Sequence, residues 1–202
     1  TLSKKSTLNL GYASNGPLIE YSVLREYLGD NVTNILWIYY EGNDLHNLEN
    51  ELRNDILKKY LIDLDYSQNL KSKQNVIDNA LKEIIEIEKT KQKFKLSEFI
   101  KLYSLRSTLI PPADLLPRPE LKNILYLAKT LSENNGSKLY FVYLPTYDRY
   151  GSRFNEASYK KIKKILSELK IPLIDIHEEV FKKEVNPREL FPFALPGHYT
   201  IE

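Results

Sequence analysis

Neither cysteine nor methionine occurs among the 202 residues. Without cysteine there is no disulfide frame, no thiolate ligand set for a metal and no thiol nucleophile. Net charge is nearly absent as well. The 29 Lys and Arg against 27 Asp and Glu leave +2, with the two signs interleaved, so no field is available to track nucleic acid or an anionic membrane surface. Long apolar runs are missing too. No stretch approaches the ~18 apolar residues of a membrane span, and no charged-then-apolar leader stands at the start. The chain opens Thr1-Leu2-Ser3-Lys4-Lys5 with no initiating methionine, so it reads as part of a longer product, with any targeting segment or membrane anchor expected upstream of Thr1.

Two hundred residues at ~150 per domain suggest one domain with a sizeable insertion. A chain of this mass can bury roughly 70% of its unfolded surface without covalent staples.

The stretch Ser6-Thr-Leu-Asn-Leu10 is extended in character and is followed by the turn-rich Gly11-Tyr-Ala-Ser-Asn-Gly16. Pro17 suits the first turn of a helix, Leu18, Tyr21, Leu24 and Leu28 follow at helical spacing, and Gly29 stops the run. Thr33-Asn-Ile-Leu-Trp-Ile-Tyr-Tyr40 is dense in β-branched and aromatic residues, as expected of a strand covered on both faces. The opening therefore predicts strand, loop, helix, strand.

Residues 45–109 shift to Leu, Lys, Glu, Asn and Gln with helical periodicity, broken near 65–68, and predict two or three helices. The proline-laced stretch 110–119 closes this segment, which reads as a helical insertion over about 45–118. A helix over 121–135 capped by Gly136, a strand over 138–144, a helix over 159–169, a strand over 171–176 and a short helix over 177–183 follow. Strands alternating with helices predict an α/β domain with a doubly wound, mostly parallel sheet.

Ligands of such sheets bind beyond the carboxyl ends of the strands. The 11–16 loop, Glu41-Gly-Asn-Asp44, the 145–151 loop and the stretch ending Gly197-His198-Tyr-Thr200 are expected to converge there. Acyl transfer needs a base and a donor aimed at a developing oxyanion, and His198 and Asn43 supply one of each. Tyr147 and Arg149, with Asp44, are placed on the edge where a substrate would be held. Asn43 and Asp44 also suit the N-cap of the helix that follows. His46 and His177 read as structural or exposed residues, and the three histidines lack metal-ligand spacing.

Asn9-Leu-Gly-Tyr-Ala-Ser-Asn-Gly-Pro17, then Gly42-Asn-Asp44 behind a hydrophobic strand, then Gly197-His-Tyr-Thr-Ile-Glu202 resemble, in order and spacing, the blocks of the SGNH/GDSL hydrolase superfamily. The resemblance implies a three-layer α/β/α flavodoxin-like fold and a serine acyl-enzyme mechanism without cofactor or metal. It implies His198 as base, the Asn43 side chain and the Ser14 backbone N–H as the oxyanion hole, and a small-molecule or carbohydrate ester as substrate. Water as acceptor would give an esterase, and a carbohydrate hydroxyl an O-acyltransferase, with the bacterial envelope as the setting.

Two departures from the family pattern stand out. No Gly-Asp-Ser block occurs, so the nucleophile is expected upstream of Thr1. The triad acid, normally three residues before the histidine, is replaced by Leu195. A non-catalytic SGNH-like binding or scaffold domain is the alternative that this second departure allows.

Overall fold

The computed structural model describes residues 6–12, 14–91, 115–152, 154–196 and 199, with only the backbone given for 88–91. The chain divides into a main unit, 1–66 with 115–202, and a second unit, 67–114.

Helix α1, Pro17–Tyr27, opens with proline, whose missing N–H costs nothing at that position, and buries Leu18, Tyr21 and Leu24 as its spacing predicts. Strand β1, Asn34–Tyr40, leads to helices α2, Asp44–Glu51, and α3, Asp55–Ile62. The Asn54 carboxamide oxygen caps α3, accepting from the Ile56 and Leu57 N–H groups. After the second unit come α5, Pro119–Asn134, strand β2, Lys138–Leu144, helix α6, Ala157–Leu169, strand β3, Leu173–Asp175, and the single-turn helix α7, Ile176–Glu179. Gly136 ends α5 at φ +71°, with the Ser137 N–H reaching back to the Ser132 carbonyl at 2.8 Å and the Gly136 N–H to Glu133 at 3.0 Å. This is a Schellman cap, which satisfies carbonyls that the helix end would leave orphaned.

The described residues form an α/β structure with a three-stranded, all-parallel sheet in the order β1-β2-β3. Asn34 pairs with Lys138 through to Tyr40 with Leu144, and Phe141 to Tyr143 pair with Leu173 to Asp175. The core lies where α1, α2 and α5 cover Trp37, Tyr39, Phe141 and Tyr143, with Leu18, Leu48, Tyr60, Leu121, Ile124 and Leu125 fully enclosed. No helix among the described residues is long and apolar enough to cross a membrane.

Three sequence expectations need correction. Residues 6–10 form no strand, because among the described residues no segment pairs with them and four of the five are exposed. Strand β1 is not covered on both faces: Trp37 and Tyr39 are buried, but Leu36 is 58% and Ile38 44% exposed on the other side. The departure from the main unit begins at Ser67 rather than near residue 45, since α2 and α3 place Leu45, Leu48 and Tyr60 in the main core.

The second unit contains a 3-10 turn, Lys71–Lys73, and helix α4, Gln74–Lys91, along which Val76, Leu81, Ile84, Ile85 and Ile87 are all exposed.

Candidate functional site

Strand β1 ends at Tyr40, and the chain reverses through Glu41-Gly42-Asn43 into α2. The turn folds tightly against the last ring of the strand. A Cβ on Gly42 would lie 2.5 Å from Tyr40 Cε1 and 2.8 Å from its Cζ, so only glycine fits while the ring stays in place. The Tyr40 N–H donates to Asp44 Oδ2 at 2.9 Å and closes the turn from the other side. Asn43 occupies the N-cap position with its side chain exposed and making no capping bond. Neither it nor Asp44 caps α2 in the expected way. Asp44, expected at the substrate edge, is instead buried at 4% exposure and used in the turn.

The 11–16 loop docks on α2. Pro17 has no N–H, and the two donors flanking it, Gly16 N–H and Leu18 N–H, both reach the Glu51 carboxylate, at 2.5 and 2.9 Å. A carboxylate on one helix thus satisfies the N-terminus of another, where the helix dipole also favours negative charge. Asn47 Nδ2 donates to the Asn15 carbonyl at 3.4 Å, and a Cβ on Gly16 would meet Asn47 Cβ at 2.7 Å. Ser14, exposed, takes the left-handed conformation at φ +69°, tolerated in a turn that the Asn15 N–H to Tyr12 carbonyl bond closes at 3.2 Å. Asn47 lies one helical turn beyond Asn43, its N–H bonded to the Asn43 carbonyl at 2.8 Å. Asn15 and Gly16, the residues that follow Ser14, therefore rest on α2 at Asn47, one turn beyond Asn43.

On its other flank the Glu41 turn is clamped from the end of β2. The Glu41 carboxylate accepts from Arg149 Nε at 2.9 Å, from Arg149 Nη2 at 2.6 Å, from the Thr146 N–H at 3.1 Å and from the Tyr143 hydroxyl. The Arg149 and Glu41 side chains are 2% and 7% exposed. The guanidinium is stacked over Tyr159 and Phe154, 4.3 and 4.7 Å from their ring centroids. Burial alone would discourage the Arg149 charge, but the Glu41 bonds outweigh it and hold the guanidinium protonated. Burial, followed by the Glu41 charge, keeps the Tyr143 hydroxyl neutral and so a donor. Arg149, expected to face substrate, is in fact a buried brace.

The C-terminal stretch closes over the same edge through an aromatic cluster. Phe191 is fully buried, with Tyr147, Phe181 and Tyr199 rings 5.3 to 5.4 Å away. The Tyr147 hydroxyl donates to the Ala194 carbonyl at 2.7 Å, so Tyr147 also braces a loop. Phe193 and Ala194 both have positive φ, 58° and 50°, which projects Phe193 into solvent. The Tyr199 hydroxyl donates to the Pro145 carbonyl at 2.5 Å, and its ring meets Tyr40 edge-on at 6.5 Å. Tyr199 thus spans the carboxyl ends of β1 and β2. His198, its neighbour in sequence, lies outside the described residues. Leu195, at the position expected for an acid, is exposed.

His177 is buried beside β3, its Nδ1 3.0 Å from the Tyr150 hydroxyl, and burial followed by the Arg149 charge lowers its pKa. It is structural, as expected, and His46 is exposed. Among the described residues no group of His, Asp or Glu has the arrangement of a metal site.

No family model, curated protein or solved structure matches this chain. The site is therefore read from its geometry. Three of the four expected loops, 11–16, 41–44 and 145–151, are tied to α2 or to the ends of β1 and β2, and Phe191, Ala194 and Tyr199 cover the last of them. The clamp residues Glu41, Arg149 and Glu51 went unassigned to these roles in the sequence. The one signal for Glu41 was an acidic residue directly behind an apolar strand, with an arginine in the loop behind the next strand.

Proposed function

We propose that this chain is the larger part of an SGNH-type hydrolase domain of three-layer, flavodoxin-like architecture that cleaves an acyl ester through a serine acyl-enzyme. The observation carrying this reading is the docking of the 11–16 loop on α2, one turn from an Asn43 side chain that makes no capping bond. A backbone N–H and a carboxamide on two tied elements are the donors an oxyanion requires. In the proposed reaction a serine attacks the acyl carbonyl, His198 takes its proton and passes it to the leaving alkoxide, and the Ser14 N–H and Asn43 Nδ2 hold the oxyanion. Water then releases the acyl group. A carbohydrate hydroxyl in its place would make the protein an O-acyltransferase.

Among the described residues β1 has no neighbour on its other edge, which supports a further strand there bearing the nucleophile. In a parallel pair alternate residues turn their backbone groups to the same neighbour. Lys138 N–H to Thr33 O and Glu41 N–H to Leu144 O assign the odd-numbered residues of β1 to β2. Leu36 and Ile38 therefore present their N–H and C=O groups outward, beside their own exposed side chains. A strand added there would end next to Asn43.

The exposed Leu195 favours a second reading, a binding domain of the same fold without a triad acid. Serine-directed fluorophosphonate separates the two when applied to the protein expressed with the sequence preceding Thr1. The hydrolase reading expects one labelled serine upstream of Thr1 and none in 1–202, and the binding reading expects no label.

A further inference from the structure

We propose that the carboxyl groups of Glu20, Asp44 and Glu51 form a proton-operated latch that holds the 11–16 loop and the Gly42-Asn43 turn against α2. The inference deepens the reading above by assigning a regulation to the same site.

Each carboxylate has a separate position in the same buried region. Glu51, 6% exposed, holds the Gly16 and Leu18 N–H groups and so fixes the loop at the start of α1. Asp44 holds the Tyr40 N–H and so fixes the turn that presents Asn43. The Tyr40 N–H belongs to the set turned toward the free edge of β1, so without Asp44 it would be unpaired. Glu20, in the first turn of α1, has a buried Oε2 with no hydrogen-bond partner.

Among the described residues none of the three carboxylates lies within ion-pair distance of a basic side chain. The groups facing them are Tyr39 from β1, a neutral phenol whose pKa is raised by burial and then by Asp44, and Glu41, which is committed to Arg149. At the near end of α5, Arg118 is engaged with Glu49 and Glu120. The surfaces of α5 packed in the core are apolar, Leu121, Ile124 and Leu125, and on α1 Arg25 reaches to the carbonyls of Tyr60, Asp63, Leu64 and Tyr66.

Three uncompensated carboxylates in low dielectric cannot all ionise cheaply. Burial first, then the charges of Asp44 and Glu51, hold the Glu20 carboxyl well above the ordinary range. Burial pushes Asp44 up to about 7 and raises Glu51 as well. Near neutrality the cluster therefore gains or loses a proton. With the proton shared, Glu51 and Asp44 keep their backbone partners. The N–H groups of Gly16, Leu18 and Tyr40 themselves favour the ionised carboxylates and lower both pKa values against burial, so only the repulsion of a third charge, once the last proton leaves, works against these bonds and loosens the three amides. The group titrates as a unit, so an apparent midpoint belongs to the cluster and not to any one of its residues.

The test is a ¹⁵N NMR titration of the chain between about pH 5 and 9, reading the amides of Gly16, Leu18 and Tyr40. The three are expected to move together with a midpoint near 7, far from the ~4 of exposed carboxylates. Glu20→Gln removes one of the charges and should lower that midpoint by roughly one pH unit. Asp44→Asn removes another of the charges and should likewise lower the midpoint read at Gly16 and Leu18. Amides that stay flat across the range, separate midpoints near 4, or an unchanged midpoint in Glu20→Gln would overturn the latch. The wild-type titration decides even if neither variant folds. Because it reads amides and not turnover, a failed ester assay leaves the latch intact, and a failed titration leaves the roles of Asn43 and His198 standing.

Discussion

Replacing Arg149 by methionine preserves the length and apolar bulk of the side chain and removes only the guanidinium. Glu41 then loses the two bonds at 2.6 and 2.9 Å and keeps the Thr146 N–H and the Tyr143 hydroxyl. Breaking a buried ion pair from one side costs about 3–5 kcal/mol, because the partner charge stays in the interior. The two remaining donors place this case at the lower end, about 3 kcal/mol, and the lost stacking over Tyr159 and Phe154 adds about 1 kcal/mol. A loss of about 4 kcal/mol lowers Tm by on the order of 10 °C in a unit of this size.

Urea unfolding followed by the fluorescence of Trp37, the single tryptophan and a buried one, reports the change directly. Glu41→Met combined with Arg149→Met replaces the pair by apolar groups and should recover about 2 kcal/mol or more relative to the sum of the single changes. A cost below about 1 kcal/mol for Arg149→Met, or additivity in the double variant, would refute the clamp.

Gly42→Ala drives a methyl into the Tyr40 ring and should cost about 1–3 kcal/mol, measured by the same unfolding curves, with Tyr40→Ala in the same chain relieving most of the clash. Gly136→Ala, at φ +71°, should cost about 1 kcal/mol through backbone strain alone, since no atom lies within 4 Å of the new methyl. The raised carboxyls of Glu20, Asp44 and Glu51 give the folded state more protons than the unfolded chain between about pH 4 and 7. Their contribution to stability is complete below that window and declines as pH rises through about 7, so unfolding free energies should fall between pH 5.5 and 8 less steeply in Glu20→Gln than in wild type. His177 acts in the opposite sense. Its lowered pKa makes stability fall as pH drops below about 6.5, and NMR should show its ring titrating below that value.

The elements legible in the sequence were those with a local physical cause. Pro17 and the apolar spacing behind it gave α1, the run at 138–144 gave β2 at its observed bounds, and Gly136 gave the end of α5. Strand β1 was legible as a strand but not as an edge, because Leu36 and Ile38 have the composition of a doubly covered strand whether or not a neighbour lies alongside. Residues 6–10 have strand-like composition, yet pairing is a property of two segments and none of the described segments pairs with them. In the site, Gly42 and Gly16 stood out as motif glycines, but their reason, the closeness of Tyr40 and Asn47, is tertiary. Arg149 was misassigned for the same cause. An arginine in a polar loop reads as a ligand-binding residue until the buried carboxylate 108 positions earlier is seen beside it.

The most direct test of the ester-hydrolase reading is fluorophosphonate labelling of the protein expressed with its upstream sequence, mapped to the labelled residue, in wild type, His198→Ala and Asn43→Ala. The account predicts a single labelled serine upstream of Thr1, no labelling in His198→Ala, and labelling slowed by roughly 10²–10³ in Asn43→Ala, whose folding stability should stay within about 0.5 kcal/mol of wild type because its side chain makes no capping bond. A labelled serine within 1–202, or labelling at the wild-type rate in Asn43→Ala, would contradict it.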